Sequence, residues 1–288
     1  MTDVRTAPIA PSAPVATSPA AAVTHVAPRA AVLGLMAAMD AELAAILPHL
    51  GAVQVRALGG RQFHVGVWHG QPVVAVLSGI GKVAAATTAT LLHAAFGVDH
   101  LVFTGVAGGL GAEVAVGDMV LGTAFVQHDM DASPLFPRFE LPGKGVAELA
   151  SDAGLTAELA QALDDLHVHS PVWRQVQASG FVRAGGSRLH QGLVLSGDRF
   201  VGCDSLSSSL LADLPGALAV EMEGAAVAQV CHDLGLPFAV MRAISDRADA
   251  QAHVDFMAFL QAVASPMAAA WLDGWLARRA QARPATAS

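Results

Sequence analysis

Two carboxylates, Glu221 and Glu223, follow directly on the apolar run Ala217-Leu218-Ala219-Val220. That run reads as a short buried strand, and the small residues from Gly224 to Ala228 read as the opening of a close-packed helix. Acids at such a junction either favour the helix N-terminus electrostatically or serve a partner, because a buried unpaired charge is costly. Further along, Pro237-Phe238-Ala239-Val240-Met241 reads as a strand that ends in Arg242-Ala243-Ile244-Ser245-Asp246, which adds a cation, a hydroxyl and another acid. Glu42 lies in the first turn of a helix that follows the apolar strand Ala31–Met36, where the helix dipole favours a carboxylate. Acids of this kind without metal-ligand spacing suit acid and base catalysis on an uncharged polyol better than phosphate binding.

These residues need elements that bring them together. Glycine-rich turns stand at Ser78–Lys82, Gly105–Gly109 and Ser196–Val201, each after an apolar strand. The first precedes a helix at Val83–Phe96, yet its spacing matches neither a Walker loop nor a dinucleotide fingerprint, so it reads as a turn that lets backbone approach a ligand. Strands are expected at 52–58, 62–68, 72–77, 100–104, 116–126, 180–184 and 192–195, and helices at 146–153, 156–166, 204–211, 222–234 and 252–279. Strands and helices alternate, so an α/β fold is expected, with strand ends meeting at one edge of the sheet. The pocket there would hold the acids, Arg242 and an apolar wall of Met39, Ile80, Phe200 and Met222. His128, Asp129 and Asp131 are close in sequence, but no other His or acid falls at ligand spacing, so neither a metal nor a cofactor is expected.

Composition bounds the rest. The 288 residues are 53% hydrophobic, which raises the question of a membrane. The surplus is spread over short Ala, Val and Leu segments, as in a sheet covered on both faces, and no uninterrupted run is long enough to span a bilayer. A net charge of −8 without any Lys/Arg block argues against nucleic acid or an anionic membrane as partner. Cys203 and Cys231 have no disulfide or metal spacing and fit a reducing cytoplasm. Residues 1–30, with prolines at 8, 11, 14, 19 and 28, read as a disordered Ala/Pro-rich leader that lacks the apolar core of a secretory signal. Residues 31–280 read as a single domain and 281–288 as a flexible tail.

Seven segments in order resemble one family. Gly34-Leu-Met-Ala-Ala-Met-Asp-Ala-Glu42, Ser78-Gly-Ile-Gly-Lys82-Val-Ala-Ala, Thr104-Gly-Val-Ala-Gly-Gly109, Val116-Gly-Asp118, Ser196-Gly-Asp-Arg-Phe200, Val220-Glu-Met-Glu-Gly224 and Arg242-Ala-Ile-Ser-Asp246 are similar to motifs of the 5′-methylthioadenosine/S-adenosylhomocysteine nucleosidases of the nucleoside phosphorylase superfamily. The resemblance runs from about residue 31 to 275. It implies a three-layer αβα sandwich around a mixed, twisted sheet, a homodimer, and hydrolysis of an adenine N-glycosidic bond. By the same resemblance, Asp246 protonates the purine N7 and Ser245 orients its carboxyl. Glu42 activates water with Arg242 beside it, and Glu223 binds the ribose hydroxyls above Met222. Phe200 stacks on adenine, the Val201 backbone reads the base edge, and Met39, Ile80, Val106, Ala107 and Gly108 complete the substrate site. Val106 stands where the family often has serine, which removes a hydroxyl near the sugar. Met130, Leu135 and Phe136 are expected at the alkylthio end, across a dimer interface. The alternatives are a related hydrolase of aminodeoxyfutalosine, a phosphorylase of the same fold, and a nucleoside-binding protein without activity.

Overall fold

In the computed structural model, residues 30–183, 186–249 and 256–282 are described. The expected leader through residue 29 and the tail from 283 lie outside them, whereas residues 281 and 282 belong to the last helix.

The chain opens with β1 (Leu33–Ala37), α1 (Asp40–Ile46) and one 3₁₀ turn, then the meander β2 (Gly51–Leu58), β3 (Arg61–Trp68) and β4 (Gln71–Leu77). α2 (Lys82–Phe96), β5 (His100–Gly109) and β6 (Met119–Gln127) follow, then β7 (Glu148–Ala150), α3 (Ala153–His169) and α4 (Pro171–Ala178). The last third holds β8 (Leu189–Ser196), α5 (Asp204–Asp213), β9 (Ala217–Glu221), α6 (Gly224–Leu234) and β10 (Phe238–Asp246). A helix closes it: α7 (Phe256–Phe259) passes through a π-helical turn at Leu260–Ala264 into α8 (Ser265–Ala282).

All strands join one mixed sheet in the order β10-β6-β8-β9-β5-β1-β4-β3-β2, with β7 on β6. An added β10–β5 pairing closes β5, β10, β6, β8 and β9 into a ring. One core lies between the sheet and α1, α3 and α8; a second lies between the sheet and α2 and α6. This gives the expected three layers, refined by the closure of one side. By length and composition, the helix Phe256–Ala282 could cross a membrane. Its Trp271, Leu272, Trp275 and Leu276 are at most 1% exposed within the first core, so its apolar face is occupied by the fold.

β1 stops at Ala37, opposite Thr104, whereas β5 continues through Gly109 with β10 and β9 as neighbours. The site lies where β1 has left β5. One expected boundary was therefore too short: Gly105–Gly109 is strand, not turn, while Arg242–Asp246 ends β10 as expected. Side-chain-poor sequence stays extended here because neighbouring strands supply its hydrogen bonds.

Three other expectations are corrected. The expected helix 146–153 does not form before Ala153: Leu149 and its neighbours pair with β6, and the helix starts only where the Asp152 side chain accepts the Leu155 N–H at 2.7 Å. α4 was overlooked, although Ser170-Pro171 is a helix-start pair whose serine accepts the Val172 N–H. No strand forms at 180–183, and residue 184 lies outside the described set. Instead Arg183 reaches fully buried Asp118, which also takes N–H groups of Ala115 and Arg188 and lies 2.8 Å from His190 Nε2. That acid ties the start of β6 to β8. The expected start of the last helix at 252 also lies outside the described residues.

Candidate active site

The cavity in the split between β1 and β5 is walled by the ends of β1, β5, β9 and β10 and by the Ser196–Val201 loop. Of the expected site residues, Met39, Ile80, Val106, Ala107, Gly108, Phe200, Val201, Met222, Glu223, Arg242 and Asp246 all line it. Ile80 and Phe200 are 60% and 53% exposed, so two large apolar side chains stand open at its mouth. Glu42 and Ser245 are buried just behind the wall. Phe256 and Arg199 also line the cavity. Phe256 was overlooked because nothing in its local pattern separates it from core positions. Arg199 was visible in the Ser-Gly-Asp-Arg-Phe motif but carried no assigned role.

Glu42 caps its own helix and still leaves one oxygen free. Its Oε2 accepts the Ala38 and Met39 N–H groups at 3.0 and 2.9 Å. Oε1 is buried with no hydrogen bond inside the protein. Burial pushes the carboxyl up to about 7, against the lowering pull of those N–H groups and of Arg242. Gly105 is what leaves room for this acid and Arg242 to lie together against the cavity wall. A Cβ there would sit 3.0 Å from Arg242 Nη1 and 3.4 Å from Glu42 Oε1. Gly108 does the same for Asp246, since a Cβ would lie 2.9 Å from its Oδ1.

Glu221 and Glu223, two residues apart, have separate roles. Glu221 accepts both Arg242 Nη2, at 2.7 Å, and the Gly224 N–H, and also takes the Ser196 hydroxyl. Arg242 is 1% exposed, with its Cζ over the Phe103 ring, 4.1 Å from the centroid. Expected only beside Glu42, it is ion-paired to Glu221, a pairing that no local pattern announces. Removing one member of such a pair strands a buried charge at a cost of about 3–5 kcal/mol. Arg242→Met is accordingly expected to lower unfolding stability by about that much in urea titrations at neutral pH. Adding Glu221→Gln, which keeps an acceptor without the charge, should recover part of the loss. A single variant as stable as wild type would mean the pair carries no such burden.

Glu223 lines the cavity and accepts the Gly81 N–H at 2.8 Å. Its carboxyl is pushed up to about 7, chiefly by burial and then by the charge of Glu221. Asp246, 8% exposed, accepts the Ser245 hydroxyl at 2.7 Å and the Ala248 N–H at 2.8 Å. Burial raises it above the usual aspartate range despite those two donors. Ser245 is thus placed to orient that carboxyl.

Two N–H groups of the turn before α2 are already taken. Gly81 N–H goes to Glu223 and Lys82 N–H to Asp198 Oδ1, at 2.7 Å. An anion arriving there would meet two carboxylates. Asp129 and Asp131 face different partners, Lys82 and the Ser133 N–H, instead of converging with His128.

A family-wide sequence pattern for the phosphorylase superfamily matches residues 32–274. The chain belongs to the phosphorylase superfamily. Among its relatives, the 5′-methylthioadenosine/S-adenosylhomocysteine nucleosidase of Oceanobacillus iheyensis is 32% identical over 230 residues, 80% of this chain and 92% of that protein. The aminodeoxyfutalosine nucleosidase of Helicobacter pylori is 33% identical over 230 residues, 80% of this chain and 91% of that protein. Among solved structures, the Neisseria meningitidis 5′-methylthioadenosine/S-adenosylhomocysteine nucleosidase with methylthio-immucillin-A superposes with a TM-score of 0.75 at 32% identity, covering 86% of this chain and 99% of that chain. The native futalosine hydrolase of Helicobacter pylori gives 0.75 at 32%, covering 86% and 98%. Within this superfamily the matched relatives are nucleosidases, which is the reading reached from the seven motifs.

Proposed function

We propose that this superfamily member hydrolyses the N-glycosidic bond of 5′-methylthioadenosine and S-adenosylhomocysteine, releasing adenine and the 5-thio-substituted ribose. The observation that carries this is the meeting of Glu42, Glu223 and Asp246 around one apolar cavity, each with its carboxyl raised above the usual range. Acids held that way can exchange protons near neutral pH.

The purine stacks on Phe200, with Val201 backbone along its edge and Asp246 at N7. The ribose lies over Met222 with its hydroxyls on Glu223, and within this chain the 5′ substituent runs toward Met39, Ile80 and Phe256, since Met130, Leu135 and Phe136 do not line the cavity. The C1′–N9 bond breaks with its electron pair going to the purine, and Asp246 delivers a proton to N7, so adenine leaves neutral. Water adds to C1′ on the opposite face and gives a proton to Glu42, whose free Oε1 suits that contact. Positive charge on the ribosyl group in the transition state is met by the surrounding carboxylates, as in inverting glycosidases.

Water rather than phosphate is the nucleophile in this reading. Arg242 is engaged by Glu221, Lys82 by Asp129, and the N–H groups before α2 by two acids. A phosphate dianion would have to displace carboxylates from each of these donors. Incubation with 5′-methylthioadenosine is expected to yield adenine and free 5-methylthioribose at the same rate with and without inorganic phosphate. A phosphate-dependent sugar 1-phosphate product would replace this reading with phosphorolysis. Running aminodeoxyfutalosine alongside distinguishes the other named substrate, and binding of nucleosides without any turnover would identify an inactive binder.

A further inference from the structure

Three residues to which the reaction itself gives no role, Lys82, Asp129 and Asp198, are locked in a ring beside the cavity. Lys82 N–H donates to Asp198 Oδ1 at 2.7 Å, Asp198 N–H donates to Asp129 Oδ2 at 2.9 Å, and Asp129 Oδ1 takes Lys82 Nζ at 2.6 Å. Lys82 Nζ also reaches Gln127 Oε1 at 3.2 Å, and Gln127 Nε2 continues to Gln229 on α6 at 2.7 Å. The Lys82 and Asp129 side chains are 17% and 30% exposed, so the pair is only partly screened by solvent. The ring joins the α2 start, the end of β6 and the loop after β8.

Its two ends matter for the chemistry. Gly81, next to Lys82, donates its N–H to Glu223, the sugar-binding acid. Asp198 is two residues before Phe200, the base-stacking ring. The loop has little freedom on its other side: a Cβ on Gly197 would fall 2.4 Å from His128 Nε2. The geometry points to Lys82 as a positioning residue that, through Asp129 and Asp198, fixes the spacing between the base-stacking loop and the sugar-binding acid. This rests on the hydrolase reading above. None of the ring's members touches Glu42 or Asp246, so loosening it should act on base binding more than on the bond-breaking step.

The test is a double-mutant cycle on adenine affinity in the full-length protein, measured by calorimetry. Lys82→Met is expected to weaken adenine binding about tenfold, equivalent to 1.4 kcal/mol, and to raise KM for 5′-methylthioadenosine more than it lowers kcat. In a Phe200→Ala background the same change is expected to weaken adenine by less than twofold, because the ring has lost the group it positions. Lys82→Arg should restore most of the affinity. Asp129→Asn, close in shape, repeats the test should Lys82→Met not fold. Equal losses with and without Phe200, or adenine binding unchanged in Lys82→Met, would overturn the positioning role alone. A wild-type chain that neither binds adenine nor releases it from a nucleoside would overturn the hydrolase reading and this role with it.

Discussion

Asp246→Asn is expected to lower kcat for adenine release at least ~100-fold, the usual scale of a general acid, while changing KM only a few-fold. Asparagine has almost the shape of aspartate and can still meet the Ser245 hydroxyl and the Ala248 N–H, which hold the wild-type carboxyl at 2.7 and 2.8 Å. What it lacks is a proton to give. The purine must then depart as an anion, and that penalty falls on the transition state and not on ground-state binding. Burial keeps the Asp246 carboxyl above its ordinary range, so wild type carries the acid form to higher pH than a surface aspartate would. The measurement is steady-state adenine release by purified variant with a wild-type circular dichroism spectrum. Activity within tenfold of wild type would remove Asp246 from the chemistry.

Glu42→Gln is expected to cost ~10²–10⁴ in kcat and, at the same time, to make the protein more stable at slightly alkaline pH. The first effect follows from losing the base that takes the water's proton. In the wild type that base must be ionised, so kcat/KM should fall on the acid side with an inflection near the value of about 7 set by burial of Glu42. Glu223, also pushed to about 7, titrates in the same range and steepens that limb.

The stability effect has a definite sign. A glutamate raised in the folded state binds more protons folded than unfolded between its ordinary value of 4.5 and about 7. Its favourable contribution is complete below the unfolded value and is lost as pH rises through the folded one. Glutamine carries no charge to desolvate at any pH, and its oxygen can still accept the Ala38 and Met39 N–H groups. Glu42→Gln should therefore raise Tm by about 3 °C or more at pH 8, the scale of ~1 kcal/mol in a chain of this size. The gain should shrink toward zero at pH 5, where the wild-type acid is itself largely neutral. A variant less stable than wild type at pH 8 would show that Glu42 is a structural acid, with its charge compensated. The combination of lost rate and gained stability is the signature of an acid kept in place for function.

Much of this site was legible before any coordinates. Acids after apolar runs and residues with almost no side chain at strand ends are locally costly or weakly structured choices, and such choices mark places where something other than packing is served. Glu42, Glu223 and Asp246 could be picked out on that ground, and the family motifs ordered them. Boundaries were less accessible. Whether Gly105–Gly109 turns or stays extended depends on β9 and β10 lying alongside, and whether 146–153 coils or pairs depends on β6. Hydrogen-bond partners distant in sequence decided both.

Residue types and their order thus determined by themselves the fold class, the identity of the acids and the kind of chemistry they suit, because desolvation cost and side-chain size are properties of each residue. Tertiary structure alone decided which partner each acid holds. Glu221 and Glu223 are both acids at the end of one strand, yet one neutralises Arg242 and the other lines the cavity and holds the Gly81 N–H. Lys82 stands in what reads as a turn for backbone approach to a ligand, but Asp129 and Asp198 meet it there and turn it into part of a brace. Charge pairing acts over a few ångströms of space, and only the folded chain sets those distances.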